Sequence, residues 1–344
     1  NNMSMVFCPP EDISELYKNI MYPVAPHNNL KRVYLDSDIS GGYANENALR
    51  AAMTKHHLIH GDTQMSMSYE NPNNDYHVIS FQGSYHGSTL ANLSLSNHPQ
   101  KTNLPMKDWK VLEFPESKSD EGKVLENFEN SLKELQGKVA AIIVEPLQSL
   151  TYQHASPEFY KKLRQLAEEH GVTFIVDETA SGCGATGTFW AHEQWGLEKE
   201  PDIVTFGRRT QASGFYTSKE FFPEDVSWKF FNHIGGNGVR LTQFKTIQDT
   251  IKQENLLENV NKTSNTLKNN LEKVDQISNI RGIGSLVAFD TKDMDTNLRL
   301  LQNLKDNGVN VAAAGTKTIA TKPALIFEDR HVKEFVDTLK QSLR

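Results

Sequence analysis

The strongest constraint on the fold is the run Val139–Val144 (VAAIIV), in which every residue is apolar. A strand with no polar alternation must be covered on both faces, which is typical of a parallel sheet inside an α/β protein. Similar short runs occur at His77–Phe81, Thr173–Val176 and Ile203–Phe206, and a helical spacing of apolar residues fills Pro157–His170. The alternation predicts a mostly parallel sheet with helices on both faces.

A polar residue follows three of these predicted strands. Glu145 comes after VAAIIV, Asp177 after TFIV, and Arg209 shortly after IVTF. Open parallel sheets bind ligands beyond the carboxyl ends of their strands. The spacing therefore predicts that these side chains share one pocket.

The C-terminal part has a different pattern. A polar, helix-rich segment covers Thr242–Val274, and short strand-like runs alternate with helical ones after it. This pattern predicts a smaller α+β domain, so we expect domains at 1–245 and 246–344. Within the second domain the sequence predicts strands at 280–290, 309–313 and 324–327, and helices at 296–307 and 330–343.

Composition limits the function classes. The chain has 36 Lys and Arg residues against 43 Asp and Glu residues, and a net charge of −7, which disfavours nucleic-acid binding. No apolar run is long enough to span a bilayer. Cys8 and Cys183 lie far apart, so reduced thiols are expected rather than a disulfide framework, and no metal site is expected.

Three local patterns have both a functional and a simpler interpretation. Asp177 is a candidate acceptor for a protonated ring nitrogen, or an ordinary aspartate that caps a loop. Segment 40–46 (SGGYANE) is a candidate phosphate loop before a helix expected near Asn47, or a tight turn with an N-cap. In segment 81–87 (FQGSYHG), Tyr85 could stack on a flat ring or be a buried aromatic, and His86 could be a core histidine.

The combination of motifs is more specific. FQGSYHGST, IIVEPLQS, FIVDE and TGTFWAHEQWGLEKEPDIVTFG follow one another in an order and spacing that resemble the class III aminotransferases, in particular the mitochondrial 4-aminobutyrate aminotransferases. The resemblance implies a fold-type-I pyridoxal phosphate (PLP) transferase fold with a seven-stranded type of sheet and mitochondrial localisation. It assigns the cofactor pocket to Gly41, Gly42, Tyr85, His86, Glu145 and Asp177.

The sequence departs from the family pattern where the chemistry is expected. The family reads TFSKKM where this chain reads TFGRRT, so Arg209 corresponds to the lysine that binds PLP covalently, and Arg208 replaces the lysine before it. A guanidinium does not deprotonate and attack a carbonyl carbon as an amine does. Ser88 and Ala320 correspond to two arginines that bind the substrate carboxylate in the family. Further departures lie at Gly42, Ala180 and His233. Ser40 and Tyr43 correspond to cysteines that hold an iron–sulfur cluster, so no cluster is expected.

From these departures we expect a catalytically inactive pseudoenzyme, kept as a structural subunit of a larger mitochondrial protein complex. No catalytic residue and no cofactor are expected, with Arg209 turned toward Asp177 or Glu145 to pair buried charge. The alternatives are a protein that binds PLP non-covalently and a residual 4-aminobutyrate-type transaminase. An N-terminal part of the family pattern has no counterpart here, so we also expect a protein partner or a homodimer to cover apolar surface.

Overall fold

The structure of the protein is a computed structural model, and it describes residues 11–36, 38–60, 75–96, 104, 106–221 and 237–343. No helix in these ranges is both long and apolar enough to cross a membrane. Two compact units divide the chain. The first comprises Asn1–Pro146, Ala155–Ala180 and His192–Lys245, and the second comprises Leu147–His154, Ser181–Ala191 and Thr246–Arg344.

The first unit contains a seven-stranded sheet in the order β1-β7-β6-β5-β4-β2-β3. Strands β2 to β6 run parallel to one another, and β7 pairs antiparallel with both β6 and β1. The predicted mostly parallel sheet is therefore confirmed. The strands are β1 Arg32–Asp36, β2 His77–Phe81, β3 Val111–Leu112, β4 Val139–Val144, β5 Thr173–Asp177, β6 Ile203–Phe206 and β7 Ser213–Thr217.

Helices of the first unit are α1 Glu11–Met21, α2 Gly42–His60, α3 Leu90–Ser94, α4 Glu121–Glu134 and α5 Pro157–Glu169. Helix α2 packs on the sheet through Ala48, Leu49, Ala51 and Ala52, which lie in one cluster with buried residues of β2, β4, β5, β6 and β7. Alanine side chains let the helix axis approach the sheet closely. The first residues of α2 are thereby fixed near the carboxyl ends of the central strands.

The strands of this sheet are buried as their composition requires. All six residues of β4 and all five of β5 are buried. Ser156 is the N-cap of helix α5: its hydroxyl accepts a hydrogen bond from the Phe159 N–H at 3.3 Å, and Pro157 stands at the first helical position. Ser before Pro is a strong helix-start signal, and it explains why the sequence located this helix correctly.

The second unit contains a four-stranded antiparallel sheet in the order β10-β11-β9-β8. Its core is formed by aliphatic and aromatic residues of α7, β9, α8 and α9, among them Leu271, Phe289, Leu304 and Leu339. The elements after β7 are α6 Gly238–Gln253, α7 Leu256–Leu271, β8 Ser278–Ile283, β9 Leu286–Asp290, α8 Met294–Asp306, β10 Ala312–Ala313, β11 Thr318–Thr321 and α9 Asp329–Ser342.

Two details of the second unit differ from the sequence prediction. The strand expected at 324–327 is a turn, closed by the Phe327 N–H on the Ala324 carbonyl at 3.0 Å, and the strand lies earlier, at β11. Pro323 lacks the N–H that a sheet ladder needs, whereas Thr318–Thr321 is rich in β-branched residues. The segment 242–274 is divided at Asn255, whose φ of 51° ends α6 and starts α7.

A buried carboxylate, Asp290, holds β8, β9 and β11 together. It is 5% exposed and accepts hydrogen bonds from Arg281 at 3.0 Å, Thr318 at 2.6 Å and Asn279 at 3.0 Å. Burial alone would raise the pKa of Asp290, but these hydrogen bonds outweigh burial and hold the pKa below its ordinary value of 3.8. The ionised form of this carboxylate therefore stabilises the fold.

We expect Asp290→Asn to lower the free energy of unfolding by about 2–4 kcal/mol at pH 7, because it leaves the half-buried guanidinium of Arg281 without its counter-charge. The native contribution is fully present above pH 3.8 and is lost as the pH falls through the lower folded-state pKa. Urea unfolding between pH 7 and pH 3 measures both effects. Asp275→Asn, at an exposed position of the same unit, is the control, and an equal effect of both variants would contradict the prediction.

Candidate functional site

A buried carboxylate lies where β5 ends, at the carboxyl edge of the parallel sheet. Asp177 is 1% exposed, and its Oδ2 accepts from His86 Nδ1 at 2.7 Å and from Asn45 Nδ2 at 2.8 Å. Its Oδ1 accepts from the Thr179 N–H at 2.9 Å. Burial alone would raise the pKa of Asp177, but the hydrogen bond and charge of His86, with the bonds from Thr179, hold that pKa below its ordinary value. Asp177 is therefore an anion fixed inside the protein.

His86 brings the loop after β2 to this carboxylate. Both side chains of the His86–Asp177 pair are fully buried. The second ring nitrogen of His86, Nε2, is buried and has no hydrogen-bond partner in the described part of the chain. Leaving a buried polar atom unpaired costs about 1–3 kcal/mol, so this nitrogen is a feature of the site that packing alone does not explain.

Asn45 orients both members of the pair. Its Nδ2 donates to the His86 carbonyl at 2.7 Å as well as to Asp177, and its Oδ1 accepts from Thr205 Oγ1 at 2.6 Å. The sequence prediction did not assign Asn45 to the site because it placed the helix start near Asn47. Helix α2 begins at Gly42, which puts Asn45 in its first turn, facing the strand ends.

The loop before α2 needs glycine. Gly41 has a φ of 84°, and a Cβ there would lie 2.4 Å from Thr179 Cγ2. Gly87 has a φ of 127°, and a Cβ there would lie 2.8 Å from Gly42 Cα; a Cβ on Gly207 would lie 2.8 Å from Gly41 Cα. Three segments of backbone thus approach one another at the N-terminus of α2. The helix dipole and the N–H groups at such a helix start favour an anion.

A cavity of about 340 Å³ opens beside this glycine loop, within the range of about 300–1,000 Å³ that is typical of small-molecule sites. Tyr85 forms part of its wall. The backbone N–H of Tyr85 donates to Glu145 at 3.0 Å, and its hydroxyl lies 2.5 Å from Ser88 Oγ, so both the backbone and the tip of the side chain are held. The cavity is lined by Asp38, Ser40, Gly42, Tyr43, Tyr85, His86, Gly87, Ser88, Thr89, Thr179 and Arg208.

The structure brings most of the sequence-predicted residues together. Gly42, Tyr85 and His86 line the cavity, whereas Gly41, Glu145 and Asp177 contact lining residues from behind. The departures fall in different places: Ser88 lines the cavity, Ala180 is half-buried after β5, Ala320 belongs to the second unit, and His233 lies outside the described residues. The described residues contain no group of three or more His, Cys, Asp or Glu side chains that could bind a metal ion.

Arg209 differs from its predicted arrangement. It is half-buried and does not line the cavity, whereas its neighbour Arg208 does. The side chain that pairs with Asp177 is His86, and Arg209 is not among the described partners of that carboxylate. Arg209 is expected to turn toward Asp177 or Glu145, and the described partners of Asp177 are instead His86, Asn45, Thr179 and Thr205; an approach of Arg209 to Glu145 stays a prediction.

The family follows from the whole-chain match. The model of the family described as aminotransferase class-III matches residues 3–343. The chain belongs to the class III aminotransferase family. A 4-aminobutyrate aminotransferase of Dictyostelium discoideum is 32% identical over 372 residues, covering 100% of this chain and 74% of that protein. The mitochondrial 4-aminobutyrate aminotransferase of Homo sapiens is 31% identical, with 100% and 74% covered.

Solved structures show the same fold. A lysine aminotransferase from M. tuberculosis, described in its internal aldimine form, has a TM-score of 0.87 at 24% identity and covers 100% of this chain and 82% of that one. An ornithine aminotransferase from Toxoplasma gondii, described with partial occupancy of PLP at its active site, has a TM-score of 0.81 at 21% identity, with 99% and 78% covered. The fold-type-I PLP-transferase prediction is confirmed.

Two expectations are corrected by these relatives. The expected inactive structural subunit is contradicted, since the curated relatives matched over the full chain are 4-aminobutyrate aminotransferases in species as distant as Dictyostelium discoideum, Homo sapiens and Emericella nidulans. The expectation of no cofactor is contradicted as well, because class III aminotransferases are PLP-dependent enzymes. Both expectations depend on a few substituted positions, whereas the family match covers residues 3–343.

PLP fits the residues of this class III site. A buried anionic carboxylate suits a protonated ring nitrogen, and the glycine loop at the α2 N-terminus suits a phosphate. The Nε2 of buried His86 has no hydrogen-bond partner among the described residues, and a bound group or a water molecule would supply one. The described side chains thus supply a place for each end of the cofactor.

We expect Gly41→Ala to lower the free energy of unfolding by about 2–4 kcal/mol, combining an unfavourable positive φ with overpacking against Thr179. Gly137 is the matched control, since its φ of 78° resembles the 84° of Gly41 but no atom lies within 4 Å of the point that an added Cβ would occupy. Gly137→Ala should cost only about 1 kcal/mol. Urea denaturation compares the two variants, and equal losses would show that the close approach at Gly41 is unimportant.

Proposed function

We propose that this chain is a PLP-dependent aminotransferase of the 4-aminobutyrate type that holds its cofactor non-covalently. The proposal rests on one observation above all: the buried Asp177–His86 pair lies against a cavity whose other end is a glycine loop at a helix N-terminus. The activity comes from the curated relatives, which are 4-aminobutyrate aminotransferases. We infer non-covalent attachment because Arg209 occupies the position of the lysine that binds PLP in the family.

Asp177 holds the end of the cofactor that carries the ring nitrogen. When bound, PLP supplies an electron sink for reactions at the carbon next to an amine. Asp177 keeps a proton on the ring nitrogen by remaining anionic, and His86 and Asn45 keep the carboxylate in one orientation. Because both Asp177 and His86 are fully buried, their interactions are screened little by solvent.

Tyr85 and the α2 loop hold the rest of the cofactor. Glu145 holds the backbone N–H of Tyr85 and Ser88 holds its hydroxyl, and the aromatic side chain lines the cavity, where it would stack on a flat ring. The N-terminus of α2 attracts the phosphate through its N–H groups and dipole. These contacts position the cofactor without a covalent bond.

Arg209 determines the mode of attachment in this proposal. A guanidinium stays protonated at any physiological pH and its nitrogens are delocalised, so it does not attack the cofactor aldehyde. A substrate amine would therefore react only with cofactor held by the contacts above, and Arg209 would supply no base for the proton transfer that follows. We expect turnover to be slow for this reason.

The test uses the purified chain and added PLP. Equilibrium dialysis should show retained cofactor, and incubation with 4-aminobutyrate should convert it to pyridoxamine phosphate.

Asp177→Asn should weaken PLP binding about tenfold or more, because it removes a charge-assisted hydrogen bond. Tyr85→Leu, at a partly exposed position that lines the cavity, should weaken it roughly threefold to tenfold through lost ring contact. Tyr22→Leu, the same change on an exposed residue without a place in the cavity, is the control.

Borohydride reduction tests the attachment. After reduction and denaturation the cofactor should leave the wild-type chain, whereas Arg209→Lys, which introduces an attacking amine, should retain it and turn over faster. Cofactor fixed to a lysine of the wild-type chain would contradict non-covalent attachment. No retention of PLP and no product from 4-aminobutyrate would overturn the proposed function.

Assembly as a homodimer is part of the proposal, since closed twofold symmetry is the commonest arrangement of soluble oligomers. The chain has a mass of 38.8 kDa. Light scattering on the purified protein should give twice this mass, and a stable monomer would contradict the dimer.

A further inference from the structure

Two oppositely charged side chains, Asp38 and Arg208, line the cavity beside its glycine loop. Arg208 follows β6, and Asp38 follows β1. The two do not pair with each other, nor does Arg208 pair with any other carboxylate in the part of the chain that the structure describes. A cation without a counter-charge therefore lies beside a helix N-terminus that already favours anions.

Arg208 is held in place by the loop before α2. Its N–H donates to the Ile39 carbonyl, and its Nε donates to the Ser40 carbonyl at 3.4 Å. Its backbone has a φ of 55°, in the left-handed region that a non-glycine residue rarely adopts. Such strain persists where the surrounding structure enforces it, often at ligand sites. The remaining guanidinium N–H groups are therefore presented to the cavity from a fixed point.

Asp38 accepts hydrogen bonds from donors of the same loop. Its Oδ2 accepts from Ser40 Oγ at 2.6 Å, and its Oδ1 accepts from Ser213 Oγ at 2.7 Å and from the Gly41 N–H at 3.3 Å. Ser40 and Gly41 belong to the segment that would otherwise offer these donors to an incoming anion. Asp38 thus competes with a ligand phosphate through both its charge and its hydrogen bonds.

We propose that Arg208 is a phosphate-binding residue of this site and that Asp38 opposes it, so that their balance sets the affinity for a phosphate monoester. This inference rests on the proposed function and assigns its anionic end. A cofactor without a covalent bond depends on this end for retention. A guanidinium matches a phosphate with two parallel N–H groups, and the position of Arg208 next to Ser40 puts it within reach of the α2 N-terminus.

The test separates the phosphate from the ring by comparing PLP with pyridoxal, which lacks the phosphate. Fluorescence titration should show that Arg208→Gln weakens PLP binding about tenfold and leaves pyridoxal binding unchanged. Asp38→Asn should strengthen PLP binding severalfold, again without an effect on pyridoxal. Arg208→Lys, which keeps the charge but loses the paired geometry, should recover part of the affinity. Lys162→Gln, an equal change of net charge on the exposed face of α5, is the control.

Salt and stability give independent readouts. Added NaCl should weaken PLP binding to the wild type more steeply than to Arg208→Gln, because the screened charge is absent from the variant. Arg208→Gly should relieve the left-handed backbone and raise the free energy of unfolding while lowering the affinity for PLP. A residue with only a structural role would not produce these opposite changes.

The outcomes distinguish this inference from the proposed function. A wild-type chain that binds neither pyridoxal nor PLP overturns both. A wild-type chain that binds both, with the same ratio of affinities in Arg208→Gln as in the wild type, overturns the role of Arg208 alone. Inorganic phosphate should compete with PLP in the wild type and less in Arg208→Gln; equal competition in both proteins also contradicts the inference.

Discussion

The site depends on keeping one carboxylate ionised where water is excluded. Asp177 is 1% exposed, and a charge so deeply buried is stable only with paired and well-oriented partners. His86 and Asn45 provide them from two other segments, the loop after β2 and the first turn of α2. The relative positions of β5, this loop and α2 are thus coupled through a single pair of oxygen atoms. The parallel sheet supplies the rigid frame that keeps these three segments in register.

Much of the first unit could be predicted because its sequence is locally consistent. The uniform apolar run of β4 has one sensible environment, a strand covered on both faces, and the Ser156–Pro157 pair marks a helix start unambiguously. The position of Asp177 at a strand end also follows from the pattern. The sequence pattern does not show which side chain pairs with a buried carboxylate. The sequence predicts Arg209 near Asp177 or Glu145, whereas the structure pairs Asp177 with His86, because partner choice depends on three-dimensional distance.

The same limit explains the other differences. The sequence predicts the start of α2 near Asn47, which leaves Asn45 before the helix. In the structure the helix begins at Gly42, so Asn45 lies in its first turn. In the second unit the turn after Pro323 displaced a predicted strand, since apolar composition alone does not reveal a missing N–H. The functional class differs from its prediction for another reason. Substitutions at a few positions indicate an inactive protein, whereas the family match extends over residues 3–343.

The three hydrogen bonds of Asn45 have a chemical consequence. Its amide must present nitrogen to Asp177 and to the His86 carbonyl, and oxygen to Thr205. Hydrolysis of this amide to a carboxylate would set two acid groups 2.8 Å apart in a dry environment. Like charges at this distance cannot both remain ionised, so one of them would take up a proton. A change of a single side-chain nitrogen to oxygen would therefore replace the fixed anion of Asp177 with a pair of carboxyl groups that share one proton and one negative charge.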